Sequence, residues 1–240
     1  MASEAASPLS RVPIRDAAVG RMAEPPLPDD VDVRQLDRDV RADLRSLSIG
    51  TADTVAKHLV AAGSVVDEDP ALALKHARFA RSIAARVGAV REAVGVTAYH
   101  AGEWAEALAE LRAARRITGD PRWIAVMADC ERALDRPQRA VKVLEDPDLG
   151  RVDAATGAEV LIVAAGARRD MGQDEAALLL LSSGNIDRSR PQPGVGRLWY
   201  AYADLLDHMG RTEEARSWFA AVARLDDDET DADERAGWDG

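Results

Sequence analysis

The sequence predicts an all-α array of about five helix-turn-helix units, and three observations predict it. First, one helix-turn-helix phrase recurs. In residues 101–116, AGEWAEALAELRAARR, Ala101-Gly102 ends one helix, and Ala107, Leu108, Leu111 and Ala114 return at helical spacing in the next. Residues 171–181 and 209–219 repeat that grammar, residues 134–144 are a weaker copy, and residues 67–77 lack the Gly. Second, the copies align on a shared Ala: Ala73, Ala107, Ala140, Ala177 and Ala215, separated by 34, 33, 37 and 38 residues. A recurrence of this length marks a repeat array. Third, twelve residues before each shared Ala stands Ala61, Gly95, Ala128, Ala165 or Ala203. Helices approach closely only where nothing larger than a methyl group intervenes, so the two small sets mark helix crossings.

Taken in order, residues 1–30 hold Pro8, Pro13, Pro25, Pro26 and Pro28 without any sustained period, which predicts a disordered tail. Residues 31–50 are different. Val33, Leu36, Val40, Leu44 and Leu47 form one apolar stripe, with Arg34, Arg38, Arg41 and Arg45 facing away. A single helix over 32–47 would cap the open end of the array. Residues 51–226 form the repeat domain. Its first unit opens its second helix with Asp69 as N-cap and Pro70 at the first helical position. Leu72, His76, Phe79, Ala80, Ile83 and Val87 form the expected buried face of that helix. Residues 118–121 break the chain before the third unit, whose second helix is stopped early by Asp146-Pro147. Residues 185–196, rich in Pro and Gly, lengthen the last period. Residues 227–240 read as an acidic disordered tail with a lone Trp238.

With these residues in view, the array resembles the tetratricopeptide repeat (TPR), a helix pair with a small residue midway along its first helix and an Ala early in its second. The two small sets carry the resemblance. So do Gly102, Gly172 and Gly210 at the turns, and the large residues Leu111, Leu144, Leu181 and Phe219 four after the shared Ala. It covers residues 51–226 and extends to small TPR proteins of high-GC Gram-positive bacteria. The resemblance implies a right-handed solenoid whose first helices line a concave groove. Carried over position by position, the groove would present His58, then Glu92, Val96, Tyr99 and His100. Arg122, Ala125, Asp129 and Arg132 would follow, then Glu159, Ile162 and Arg169, then Arg197, Tyr200, Asp204 and Asp207. Glu92, Tyr99, Arg122, Asp129, Arg132, Glu159, Arg169, Tyr200 and Asp204 are the candidate binding residues. The Lys/Asn clamp that some members use for chaperone tails has no counterpart: His58, Ala62, Ala93, Arg122 and Val126 stand at its positions, and only Arg122 carries a suitable charge.

Charge narrows the partners. The net charge is −11, of which residues 226–240 contribute −7 and residues 1–30 contribute −2, leaving −2 for the middle. A nearly neutral middle without a basic stripe is poorly suited to phosphate backbones. Nucleic acid is therefore not an expected partner, although Arg115, Arg116, Arg168 and Arg169 would be the residues of an RNA-binding alternative. No apolar run has transmembrane length, so no membrane partner is expected and the cytoplasm is the default location. Twenty-eight Arg against three Lys point to a GC-rich bacterial genome.

Chemistry is absent from the pattern. His58, His76, His100 and His208 make no metal-ligand pair, and Cys130 is a lone cysteine on an apolar helical face. No phosphate loop or nucleophile motif occurs. No metal, no cofactor and no catalytic residue are expected. The expectation is a non-catalytic module that binds a protein or peptide segment, with self-association of a regulatory or assembly subunit as the alternative.

Overall fold

In the computed structural model the described residues are 22–184, 186–189, 191, 195–225 and 230–237. They are all-helical, with no strand among them. Five helix pairs follow one another: α2 (Ile49–Val65) with α3 (Pro70–Ala84), α4 (Gly88–His100) with α5 (Trp104–Thr118), and α6 (Ile124–Ala133) with α7 (Pro137–Val143). Then come α8 (Ala154–Asp170) with α9 (Asp174–Ser182) and α10 (Val195–His208) with α11 (Thr212–Ala223). A short α1 (Arg38–Asp43) precedes them and a short α12 (Ala232–Ala236) follows. Each pair also packs on the next, α3 on α4, α5 on α6, and α8 on both α6 and α7.

Four of the pairs are joined by the same turn. Gly102, Asp135, Gly172 and Gly210 sit in the left-handed region at φ 74°, 59°, 70° and 76°. The amide one residue later reaches back five residues in every case, from Glu103 to Ala98, Arg136 to Glu131, Gln173 to Arg168 and Arg211 to Leu206, at 2.8–2.9 Å. This is the Schellman closure of a helix end. It follows from a glycine at the one position where a side chain is strained. The third pair keeps the turn with Asp135, which explains why its sequence reads as a weaker copy. In the first pair, Asp69 accepts the Leu72 amide at 2.9 Å and Pro70 opens the helix, as predicted.

The small residues lie at the crossings. All five shared Ala residues are buried, and so are Ala61, Ala128, Ala165 and Ala203. Gly95 makes the constraint explicit: a Cβ built there would stand 2.5 Å from Leu111 Cγ. Around these contacts run cores of Val, Leu, Ile and Ala, joined at the C-terminal end by Trp199, Trp218 and Phe219. Polar ties reinforce the packing. Buried Glu110 of α5 takes Arg81 of α3 at 2.5 Å and Arg91 of α4 at 2.6 Å.

Three expectations need correction. The capping segment is not one helix. It is a 3-10 turn (Val33–Gln35), then α1 tightening into a second 3-10 turn (Leu44–Ser46). Asp32 caps the first turn through the Arg34 amide at 2.9 Å, and Asp37 sits outside helical geometry. Asp32 takes its amide in competition with the helix, and Asp37 breaks the helical path through extended backbone, ψ 149°, without a side-chain cap. The stripe still faces inward: Leu44 is buried and Val33, Leu36, Val40 and Leu47 pack beside Val55, Leu59 and Val90. Next, Ile83 is 40% exposed and Val87 lies beyond α3, at the start of α4, while Leu74 and Ala77 occupy the buried face of α3. Finally, residues 232–236 of the acidic tail are helical, with Ala232 buried. Of the N-terminal tail, residues 1–21 lie outside the described residues, and residues 22–28 run without regular secondary structure. Trp238 also lies outside the described residues.

Two substitutions test this packing in urea unfolding. Gly95→Ala should cost about 1–3 kcal/mol, because its methyl group must displace Leu111. Asp135→Gly should gain up to about 1 kcal/mol by relieving the left-handed turn.

Candidate binding face

The first helices α4, α6, α8 and α10 are linked along one side by polar contacts that run from pair to pair. Tyr99 of α4 donates to Asp129 of α6 at 2.6 Å. Arg132, one helical turn further along α6, donates to Asp129 at 2.8 Å and to Asp170 at the end of α8 at 2.7 Å. Arg169 of α8 donates to Asp204 of α10 at 2.8 Å. Arg235 of α12 then closes the series, reaching Asp204 at 2.9 Å and Asp207 at 3.1 Å. Tyr200 donates to Asp231 at 2.6 Å and accepts from Arg235 at 3.1 Å. Arg197 and Glu159 form a separate pair between α10 and α8, with a closest approach of 2.8 Å.

The structure therefore brings together seven of the nine candidate residues in cross-helix contacts, in two sets. Tyr99, Asp129, Arg132, Arg169, Tyr200 and Asp204 belong to the ladder, and Glu159 to the neighbouring pair. Arg122 instead folds back on Asp120, two residues earlier, at 2.6 Å. Glu92 reaches the ladder nowhere; it acts on the Arg122 guanidinium through space, after the stronger effect of Asp120. The sequence reading missed Asp170, Asp231 and Arg235. A signal for two of them was present. Tyr99, Asp129 and Arg132 have nearly the spacing of Tyr200, Asp231 and Arg235, so α12 stands where a sixth first helix would begin.

Electrostatics follow from the pairing. Burial pushes the Tyr99 phenol up, and its hydrogen bond to Asp129 adds to the shift. Burial acts to raise the Asp204 carboxyl, but Arg235 and Arg169 outweigh it and hold the carboxyl below its ordinary range. Burial pushes the Cys130 thiol up to about 12, so it stays protonated at neutral pH. Two cavities open along the ladder. One of about 710 Å³ is lined by Trp104, Asp129, Arg132, Asp135, Pro137 and Asp170. A smaller one of about 160 Å³ lies between Arg132, Ile162, Arg169 and Asp204. Gly166, which lines the smaller one, leaves room for Arg132, because a Cβ there would meet its guanidinium at 2.5 Å.

At the first pair the polar contact is of another kind. His58 of α2 and His76 of α3 face each other with Nδ1 atoms 2.9 Å apart, and both rings are buried. The Nε2 of His58 meets Glu24 Oε1 at 3.3 Å. Burial holds both imidazoles below their ordinary pKa, opposed at His58 by Glu24 and reinforced at His76 by the charge of His58.

Of the four cations of the RNA alternative, two are paired with carboxylates, Arg168 meets a neutral amide, and Arg116 lines a cavity with Arg112, Arg115 and Lys142. Arg115 is held by Asp146 at 2.7 Å and Asp148 at 3.0 Å, Arg168 by Gln173, and Arg169 by Asp204. Among the described residues no group of three or more His, Cys, Asp or Glu side chains is placed to hold a metal ion. No helix there is long and apolar enough to cross a membrane. In comparisons with known proteins, no family model matches the chain, and no curated protein matches it significantly.

The histidine pair sets a pH dependence. Both groups bind protons less readily folded than unfolded, so their contribution is complete above about pH 6.5 and is lost as the pH falls below it. The urea midpoint should drop between pH 7.5 and 5.5. A His58→Phe/His76→Phe variant should show a flatter profile across the same window.

Proposed function

We propose that the chain is a tetratricopeptide-like helical-repeat solenoid, a non-catalytic module that takes a protein segment along the face of its first helices. One observation carries this reading: the cavity of about 710 Å³ opens where that face meets the turn between α6 and α7, and combines an aromatic surface, Trp104 of α5, with the charged walls of Asp129, Arg132 and Asp170. The recurring turn and the buried small residues support the repeat assignment. The ion pairs of the ladder leave the face available. Part-exposed pairs contribute about 0–1 kcal/mol each, so a partner can exchange them for its own contacts. They also hold the side chains in place, which lowers the entropy lost on binding.

A second reading, self-association through the outer helices, is favoured by Leu179 on α9, a large apolar side chain 72% exposed. Light scattering separates the two, since only self-association raises the mass with concentration.

The proposed function is tested by affinity capture from a lysate of the source organism with the full chain and with Trp104→Ala/Asp135→Lys, its helicity checked by circular dichroism. A protein captured by the wild type and lost by the variant is the expected result. Equal capture by both would move the binding site off this face.

A further inference from the structure

His58 is fully buried, yet one of its nitrogens is committed to a carboxylate. Two neutral imidazoles whose Nδ1 atoms stand 2.9 Å apart share one proton: one ring donates and the other accepts. On the far side, Glu24 Oε1 lies 3.3 Å from His58 Nε2, and a carboxylate can only accept. A neutral His58 that donates from Nε2 has a bare Nδ1, so the shared proton belongs to His76. His76 thus acts as a positioning residue. It fixes the tautomer of His58 so that its N–H points at the place where Glu24 sits, and Phe79, 4.5 Å away centre to centre, holds the ring from another side.

The occupant of that place is a particular kind of peptide. Residues 22–28 read Met-Ala-Glu-Pro-Pro-Leu-Pro. Glu24, Pro25 and Leu27 each precede a proline, and the proline ring excludes helical backbone there. Pro25 and Leu27 are half-buried, while Glu24 and Pro26 are more exposed, and one oxygen of Glu24 still reaches His58. The helices themselves contribute only the buried histidine pair and its surroundings. Recognition comes from one donor aimed at one carboxylate on an extended, proline-stiffened segment.

We infer that His58, oriented by His76, is a carboxylate-reading site at the N-terminal end of the helix array, filled in cis by residues 22–28, and that it accepts in trans a protein segment of the same chemistry, a Glu followed by prolines. The cis segment is then a built-in competitor. This site shares no residue with the Tyr99–Asp204 ladder, and its test does not depend on the reading of that face.

The test uses the full chain throughout. Wild type, Glu24→Ala and Glu24→Ala/His58→Phe are titrated by calorimetry with the peptide of residues 22–28 and with its Glu24→Gln version. Glu24→Ala is expected to bind the Glu peptide about tenfold more tightly than the Gln peptide, the difference one charge-assisted hydrogen bond makes. The wild type is expected to bind the Glu peptide more weakly than Glu24→Ala does, and Glu24→Ala/His58→Phe to lose the preference. No binding to Glu24→Ala, or equal binding of the two peptides, overturns the inference. A wild-type dimer that dissociates in Glu24→Ala also overturns it, because the segment would then be exchanged between copies. Independently of binding, the long-range proton–nitrogen NMR spectrum of the wild type should show His58 protonated on Nε2, with the tautomers mixing in His76→Phe. A wild-type His58 protonated on Nδ1 would contradict the site.

Discussion

The methyl-sized contact between crossing helices is the constraint on which the rest of this structure depends. Ala73, Ala107, Ala140, Ala177 and Ala215 open the buried side of each second helix, and Ala61, Gly95, Ala128, Ala165 and Ala203 stand midway along each first. At Gly95 the approach is direct: Leu111 packs into the space a Cβ would need, its Cγ 2.5 Å from that position. Aromatic residues are only 4% of the chain, so few large side chains are available to fill a wider gap. Closeness takes their place. Dispersion contacts between nearby backbones and short side chains are individually weak and collectively large.

The close crossings fix where the first helices stand relative to one another, and that spacing lets the ladder form. Tyr99 with Asp129, Arg132 with Asp170, and Arg169 with Asp204 each bridge one pair to the next. Arg235 extends the pattern onto α12, where it also lies 4.1 Å over the Phe219 ring. An acidic segment thus becomes helical through its single cation, which finds two carboxylates on α10 and an aromatic face on α11. The short α7 belongs to the same pattern. Its arrest before Pro147 leaves room for Asp146 and Asp148 to fold back on Arg115.

Sequence reading recovered the parts that depend on local periodicity. The shared Ala positions, the glycine turns and the inward stripe of Val33, Leu36, Val40, Leu44 and Leu47 are legible because each repeats at a helical or unit spacing. The division of the capping segment was not. It turns on Asp32 taking the Arg34 amide and on the extended backbone of Asp37, choices that the apolar stripe does not encode. The candidate face was legible as positions but not as pairings. Tyr99 and Arg132 read as groove positions, whereas the structure pairs both with neighbouring Asp residues. Asp170 and Arg235 were missed because their role exists only across 31 to 38 residues of chain. The Glu24–His58 contact joins a segment without periodicity to a helix 34 residues away. No local pattern announces it.

Valine substitution at the shared Ala positions tests the central claim most directly. Ala73→Val, Ala107→Val, Ala140→Val, Ala177→Val and Ala215→Val would each be unfolded in urea, beside Ala109→Val at an exposed position of α5. The close-crossing account predicts losses of about 1–3 kcal/mol at all five crossings. At Ala109 it predicts only the few tenths to about 0.7 kcal/mol that Val costs in any helix. Five variants indistinguishable from Ala109→Val would mean that the helices do not meet at these methyl groups, and the account would fail.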